Sequence, residues 1–271
     1  MKNTRNDEVA SVVLAAGYGF IRQGVPKVVE SVSGIKNTPM VSVPVSLLAS
    51  LYGHVTVVIN PVHGGEIKRV LANEGMQSVE YVCQPSRTGT ADALRLCLPG
   101  LTARGAKYAV IIYGDMPFWQ PQSIKSLTES HLFTQAKITM FAVKLNGEDC
   151  PDMIKNFGRI LRDGTGQIVG VKEPYQMTLE DLKKAHYVNP SAWVIDLEWF
   201  DKNYHLLPEH GKGDGFSAEF WLPDLVTIAH EQNVVVSSIP LIDYRQAVGV
   251  NTPDELDQAR NLWDRLPDLH K

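Results

Sequence analysis

The sequence predicts an α/β fold, a mixed and mostly parallel central sheet with helices on both faces, on three observations. Residues 12–16 form an apolar run of the kind that suits a strand covered on both sides. Strand-like and helix-like segments then alternate as far as residue 145. The 271 residues, 44% hydrophobic and 21% charged, are enough to bury a large α/β core.

In order, strands are expected over 9–16, 55–60, 79–84, 108–113 and 137–145. Helices between them are expected over 40–52, 65–74, 90–98 and 123–132. Pro39 near a first turn and Gly53 after the last set the limits of the first helix. Beyond Lys144 the pattern changes. Segments 158–162 and 167–172, separated by Asp163-Gly164, read as a β-hairpin. A strand follows over 188–195, then helices over 197–205 and 218–232, the second disturbed near its start by Pro223. A strand over 234–239 and a helix over 253–266, capped by Thr252, close the chain. No linker, internal repeat or low-complexity segment stands out, so residues 1–271 are expected to form a single domain. A nucleotide-binding part would span about 1–145, a substrate-binding subregion about 146–232, and a closing strand and helix 233–271.

The composition narrows the function classes. Net charge is −4 and no basic block occurs, which argues against nucleic acid or an anionic membrane as partner. Three cysteines, Cys83, Cys97 and Cys150, are scattered without metal-ligand spacing and fit a reducing compartment. No apolar leader or run of about 18 residues is present, so a cytoplasmic protein is expected. The histidines show no ligand spacing, and Gly-x-Ser-x-Gly and Gly-Lys-Ser/Thr are both absent.

Four segments carry chemistry. In the first, the strand at 9–16 runs into Gly17-Tyr18-Gly19, then Arg22 and Pro26-Lys27. Glycines at a strand end let backbone N–H groups approach an anion, and two nearby cations suit a triphosphate. A dinucleotide loop would want a third glycine where Arg22 stands; an ordinary tight turn with solvated charges accounts for the same residues. In the second, Gln84 precedes Thr88-Gly89-Thr90 at a helix start, offering an amide edge, hydroxyls and N–H groups to a pyrimidine, or simply a helix cap. In the third, Tyr113-Gly114-Asp115 ends an apolar strand with a carboxylate where open α/β sheets bind ligands, a suitable Mg²⁺ ligand or a turn aspartate. In the fourth, Asn251 ends Val248-Gly249-Val250 before Thr252-Pro253, either a second metal ligand opposite Asp115 or a turn residue.

Taken together and in this order, the segments resemble the sugar nucleotidyltransferases, closest to the uridylyltransferase half of bacterial N-acetylglucosamine-1-phosphate uridylyltransferase. The resemblance runs from about Val9 to Leu256. It implies a Rossmann-like nucleotidyltransferase fold and transfer of UMP from UTP to a sugar 1-phosphate, with Mg²⁺ as cofactor. Leu14, Ala15, Ala16, Gly17 and Lys27 match the nucleotide loop and its lysine. Gln84, Gly89 and Thr90 match the uracil-reading residues, joined at the nucleotide by Tyr113 and Gly114. Asp115 and Asn251 match the metal ligands; Lys27, Arg22 and Asp115 would carry the catalysis. Asn156-Phe157-Gly158-Arg159-Ile160 resembles a Gly-Tyr-Gly-Arg-Ile run, making Gly158 a sugar contact beside Glu173 and Asn189.

The chain departs from that pattern in three places. Phe20 stands where the family has threonine, the arginine is displaced by one position, and the stretch to Pro26 is one residue shorter. Ala91 and Asp92 replace glycine and histidine. The chain stops at Lys271 without the family's C-terminal left-handed β-helix, so acetyltransferase activity is not expected. The alternatives are transfer from another nucleotide or to another phospho-acceptor, and a nucleotide- or sugar-nucleotide-binding regulator that has lost catalysis.

Overall fold

A computed structural model describes residues 6–22, 24–145, 152–211 and 218–265. Cys150, His270 and the last residue of the expected final helix, Leu266, lie outside them. The chain begins with β1 (Val9–Leu14) and a short hairpin of β2 (Phe20–Arg22) and β3 (Val25–Pro26). Then come α1 (Ser42–Tyr52), β4 (Val55–Ile59), α2 (Gly64–Asn73), β5 (Val79–Cys83), α3 (Gly89–Ala103), β6 (Tyr108–Tyr113), α4 (Pro121–Thr134) and β7 (Ile138–Lys144). The later part holds α5 (Asp152–Lys155), β8 (Arg159–Arg162), β9 (Ile168–Lys172), α6 (Leu179–Lys184), β10 (Tyr187–Val188) and β11 (Trp193–Asp196). It closes with α7 (Leu197–Asn203), α8 (Asp224–Glu231), β12 (Val236–Pro240) and α9 (Pro253–Arg265).

Among the described residues one ten-stranded sheet has the order β5-β4-β1-β6-β11-β7-β10-β8-β9, with β12 paired to β7. Strands β5, β4, β1, β6, β7, β12 and β8 run one way, and β11, β10 and β9 oppose them. The expected mixed, mostly parallel α/β fold is therefore present, and the strands after residue 145 extend the same sheet.

Pleating explains why the central strands are apolar at consecutive positions, with Ser11 of β1 and Thr56 of β4 as buried exceptions. Val13, Val57, Val110 and Ile112 belong to the core on one face, with Leu48 and Val45 of α1, Ile67 of α2 and Ile124 of α4. Val12, Leu14, Val58 and Ile111 belong to the other, with Leu94 and Leu101 of α3, Phe200 of α7 and Leu225 of α8. Each such side chain contributes about 1.5–3 kcal/mol on burial.

Several expected boundaries shift for identifiable reasons. The strand expected over 188–195 splits into β10 and β11, because Pro190 lacks an N–H and Ser191 takes φ 57°. The helix expected from 218 starts only at Asp224, after Pro223. Conversely, α3 runs through Pro99 to Ala103, since Leu98 and Leu101 remain buried on its inner face. The short strand expected to end at Asn251 is absent: Val248 to Val250 belong to no strand, and the Val250 N–H donates to the Asp115 carbonyl at 3.0 Å. Thr252 does cap α9: its hydroxyl accepts from the Glu255 N–H at 3.2 Å, and the Glu255 carboxylate accepts from the Thr252 N–H at 3.0 Å. Helices α5 and α6 have no counterpart in the sequence reading.

One buried group ties this fold to pH. His131 of α4 is fully buried, its Nδ1 lies 2.9 Å from the Thr139 hydroxyl of β7, and its ring meets Tyr108 edge-on. Burial pushes its pKa down to about 4. The unfolded chain therefore binds one more proton than the folded one between pH ~6.5 and ~4, and stability falls as pH drops through that window. The His131 contribution to the loss is expected to be at most about 3 kcal/mol. Urea unfolding of the wild type and His131→Phe at pH 7 and pH 4 measures it: the pH-dependent loss is expected to be smaller in the variant.

Candidate active site

The parallel register pairs Leu14 of β1 with Tyr113 of β6 at the carboxyl ends of both strands. From β1 the chain steps outward to β4 and β5 on one flank, and α3 then returns it to β6 on the other flank of β1. Such a switch point opens a crevice in α/β sheets. The loop after β1 and Gly114-Asp115 after β6 face that crevice together. The Gly114 N–H donates to the Leu14 carbonyl at 2.9 Å, and a Cβ on Gly114 would lie 3.2 Å from the Ala15 methyl, so a small residue allows the close approach.

The crevice holds a cavity of about 440 Å³, lined by Leu14, Ala15, Ala16, Gly17, Lys27, Gln84, Gly89, Thr90, Tyr113 and Asp115. A Cβ on Gly17 would meet nothing within 4 Å, so the backbone there is open to a ligand. A second cavity of about 270 Å³ shares Tyr113 and Asp115 and is walled by Asn156, Phe157, Ser191 and Asn251. Two adjoining chambers thus meet at Asp115.

At that junction the Lys27 ammonium lies 2.5 Å from the Asp115 carboxylate and donates to Asn251 Oδ1 at 2.6 Å. Three residues separated by up to 224 positions converge on one point. Among the described residues no three His, Cys, Asp or Glu side chains group as a metal site. Two oxygen donors that already meet one cation nevertheless suit Mg²⁺, which draws the rest of its shell from water and phosphate.

The residues expected on the sugar side, Gly158, Glu173 and Asn189, also come together. The Asn189 N–H donates to the Gly158 carbonyl at 2.9 Å, and a Cβ on Gly158 would meet Val171 at 2.9 Å and Glu173 Oε1 at 3.3 Å. Burial raises the Glu173 pKa against the lowering influence of Arg159. Asn189 is buried and accepts from the Ser191 N–H at 3.0 Å.

Arg22 stands elsewhere. Its Nε donates to Glu30 Oε1 at 2.7 Å, a second guanidinium nitrogen bonds Glu30 Oε2, and it is not among the described residues lining either cavity. Glu30 has no exposed side-chain surface, and Arg260 lies 3.9 Å from it. The residues around Gln84 are also committed to one another. Gln84 Nε2 donates to Thr88 Oγ1 at 3.1 Å and to the Gly89 carbonyl at 2.9 Å; the Thr88 hydroxyl donates to Asp92. Thr90 Oγ1 accepts from the Leu222 N–H at 3.0 Å.

Four contributors escaped the sequence reading. Asn60, fully buried at the end of β4, donates to the carbonyls of Ala16 and Gly17 and accepts from the N–H groups of Val62 and His63. Asparagine at a strand end is too common to signal such a brace. Glu219 and Trp221 line the larger cavity from a segment read as helix. That segment pairs with the α3 entry through Phe220, whose N–H donates to the Thr88 carbonyl at 2.9 Å and whose carbonyl accepts from the Ala91 N–H at 2.9 Å. Trp221 stacks on His210 with ring centres 3.8 Å apart, and His210 Nε2 lies 2.7 Å from Asp224. Arg87 is the fourth, its guanidinium 4.6 Å from the Tyr18 ring centre.

A nucleotide loop, a cation and a carboxylate at an α/β switch point define a nucleotide-handling protein, and the comparisons give its family. Residues 11–185 match the MobA-like NTP transferase domain, and the chain belongs to that family. It is 25% identical over 257 residues to the bifunctional protein GlmU of Geotalea daltonii and 29% identical over 262 residues to that of Exiguobacterium sibiricum. These alignments cover 94% and 96% of this chain but 52% and 54% of the relatives, so the chain spans about half their length. In fold it is similar to a putative glucose-1-phosphate thymidylyltransferase from Bacillus anthracis, solved in complex with a sucrose. The TM-score is 0.68 at 19% identity, with 94% of each chain covered.

Two substitutions test how the site is held. Gly89 has φ +86°, and a Cβ there would lie 2.3 Å from the Phe220 carbonyl oxygen. Gly89→Ala is expected to lower stability by about 2 kcal/mol or more, read as a drop in the urea midpoint. Asn60→Ala removes four hydrogen bonds inside the protein, for an expected loss of about 2–4 kcal/mol in the same assay.

Proposed function

We propose that this NTP transferase moves UMP from UTP to a sugar 1-phosphate, N-acetylglucosamine 1-phosphate or a related hexose phosphate, releasing pyrophosphate. The observation that carries the reading is the meeting of Lys27, Asp115 and Asn251 where the two cavities join. A nucleotide seated in the larger cavity would have its α-phosphate at that junction. The acceptor phosphate would approach from the smaller cavity; Gly158 and Asn189 do not line it but adjoin its Phe157 and Ser191, and Glu173 lies beside Gly158.

The reaction is an in-line displacement. An oxygen of the sugar phosphate forms a bond to the α-phosphorus as the bond from that phosphorus to the bridging oxygen breaks, and pyrophosphate leaves with the electron pair. Neither step needs a covalent enzyme intermediate, so rate comes from positioning and from neutralising charge. Mg²⁺ held by Asp115 and Asn251 would supply part of that neutralisation. Lys27 adds a mobile positive charge at the same point and stabilises the departing pyrophosphate. Backbone groups of residues 15–17, braced by Asn60, would hold the nucleotide, and Tyr113 lines both cavities. Half-buried Glu173 and buried Asn189 would offer acceptors and donors to sugar hydroxyls.

Base choice is the finer point. Gln84, Gly89 and Thr90 line the larger cavity, where they would meet a pyrimidine edge, and the Gln84 amide nitrogen also braces its own loop. Thymidine and uridine triphosphates are therefore both arms of the test, with ATP and GTP as purine controls.

Pyrophosphate release measured with each triphosphate, Mg²⁺ and a panel of sugar 1-phosphates tests the assignment; UTP with a hexosamine 1-phosphate is expected to be fastest. Lys27→Ala and Asp115→Ala are each expected to lower turnover at least ~10²–10³-fold while leaving the circular dichroism spectrum unchanged. Near-normal rates in either variant exclude the mechanism.

A further inference from the structure

We propose that Arg87 is the mobile phosphate-binding cation of the larger cavity, parked on the Tyr18 ring until a polyphosphate arrives. This rests on the nucleotide reading above for the identity of the ligand. Among the described residues, the larger cavity has two cations in its wall, Lys27 and Arg87, and two carboxylates, Asp115 and Glu219. Lys27 is already engaged by Asp115 and Asn251. A nucleoside triphosphate brings several negative charges into this space, and Lys27 alone does not balance them.

Arg22 is poorly placed to serve. Its guanidinium holds both oxygens of Glu30, a carboxylate with no exposed surface. Drawing Arg22 toward the cavity would leave that buried charge with only Arg260, at 3.9 Å. Breaking one side of a buried ion pair carries a large penalty. Arg87 faces no such constraint. Its contact is the face of Tyr18, from which a guanidinium lifts at small cost. Tyr18 itself follows Gly17, whose open backbone would be the other half of the phosphate cradle, and precedes Gly19, against which the Lys27 stem packs. The aromatic face therefore stores the guanidinium beside the place of use. A planar fork of donors also suits phosphate oxygens better than a point charge.

Calorimetry on the full chain with inorganic tripolyphosphate and with UTP tests the assignment without requiring turnover. Arg87→Ala is expected to weaken both probes by a similar factor, about 10- to 100-fold, the scale of one charge-assisted contact. Arg87→Lys is expected to recover part of the loss, and Tyr18→Leu to cause a smaller one. In steady-state assays the Arg87→Ala defect is expected mainly in the KM for nucleotide, with kcat changed less. Arg22→Ala is expected to lower the melting temperature more than Arg87→Ala does and to weaken tripolyphosphate less.

Wild-type affinity for tripolyphosphate that survives within threefold in Arg87→Ala overturns the proposal, as does an equal or larger loss in Arg22→Ala. Failure of the wild type to bind either probe overturns it as well. Pyrophosphate release with unaltered nucleotide KM in Arg87→Ala removes the Arg87 role and leaves the transferase reading standing. Loss of tripolyphosphate binding in Arg87→Ala, with no pyrophosphate release from any pair in the wild type, does the reverse.

Discussion

The parallel pairing of β1 with β6 is the constraint on which the site depends. It brings Leu14 level with Tyr113, so the loops that follow emerge side by side. A shift of one residue would turn every side chain of β1 to the other face, breaking both cores. Val12 and Leu14 pack against one layer of helices and Val13 against the other. Apolar burial on both faces therefore fixes the register, and the register fixes where Gly17 stands relative to Asp115.

Around that frame the protein uses internal polar contacts to hold backbone in place. Asn60 grips the carbonyls of residues 16 and 17 while accepting from the next turn. Gln84, Thr88, Asp92, Arg95 and Tyr204 form a chain of hydrogen bonds at the start of α3. Each group in that chain has a partner inside the protein. The loops facing the cavity are thus held before any ligand arrives, which lowers the ordering cost of binding.

Much of this was legible in the sequence because the signals were local. An apolar run ending in glycines, a strand ending in Tyr113-Gly114-Asp115, and a Gly89 before a helix each announce themselves within a few residues. The convergence of Lys27, Asp115 and Asn251 was implied by the family resemblance of the ordered motifs and not by local placement, since Asn251 follows no strand. What stayed hidden depends on distant partners. Arg22 reads as a free cation until buried Glu30 is seen beneath it. Segment 218–222 has helix-like composition up to Pro223, yet its backbone pairs with residues 88–91, which nothing local predicts. The positive φ of Ser191, which divides two strands, likewise has no sequence signature.

The contacts across the junction span much of the chain: Lys27 reaches Asn251, and Thr90 reaches Leu222, 132 positions away. Contacts of such separation close late, since loop closure must precede the gain from the contact. During synthesis the first parallel strands can pack as soon as they emerge, whereas the junction waits until residue 251 has left the ribosome. A partly made chain would present the nucleotide crevice with Lys27 and Asp115 but without Asn251. Competence therefore arrives in one late step, once residue 251 joins Lys27 and Asp115.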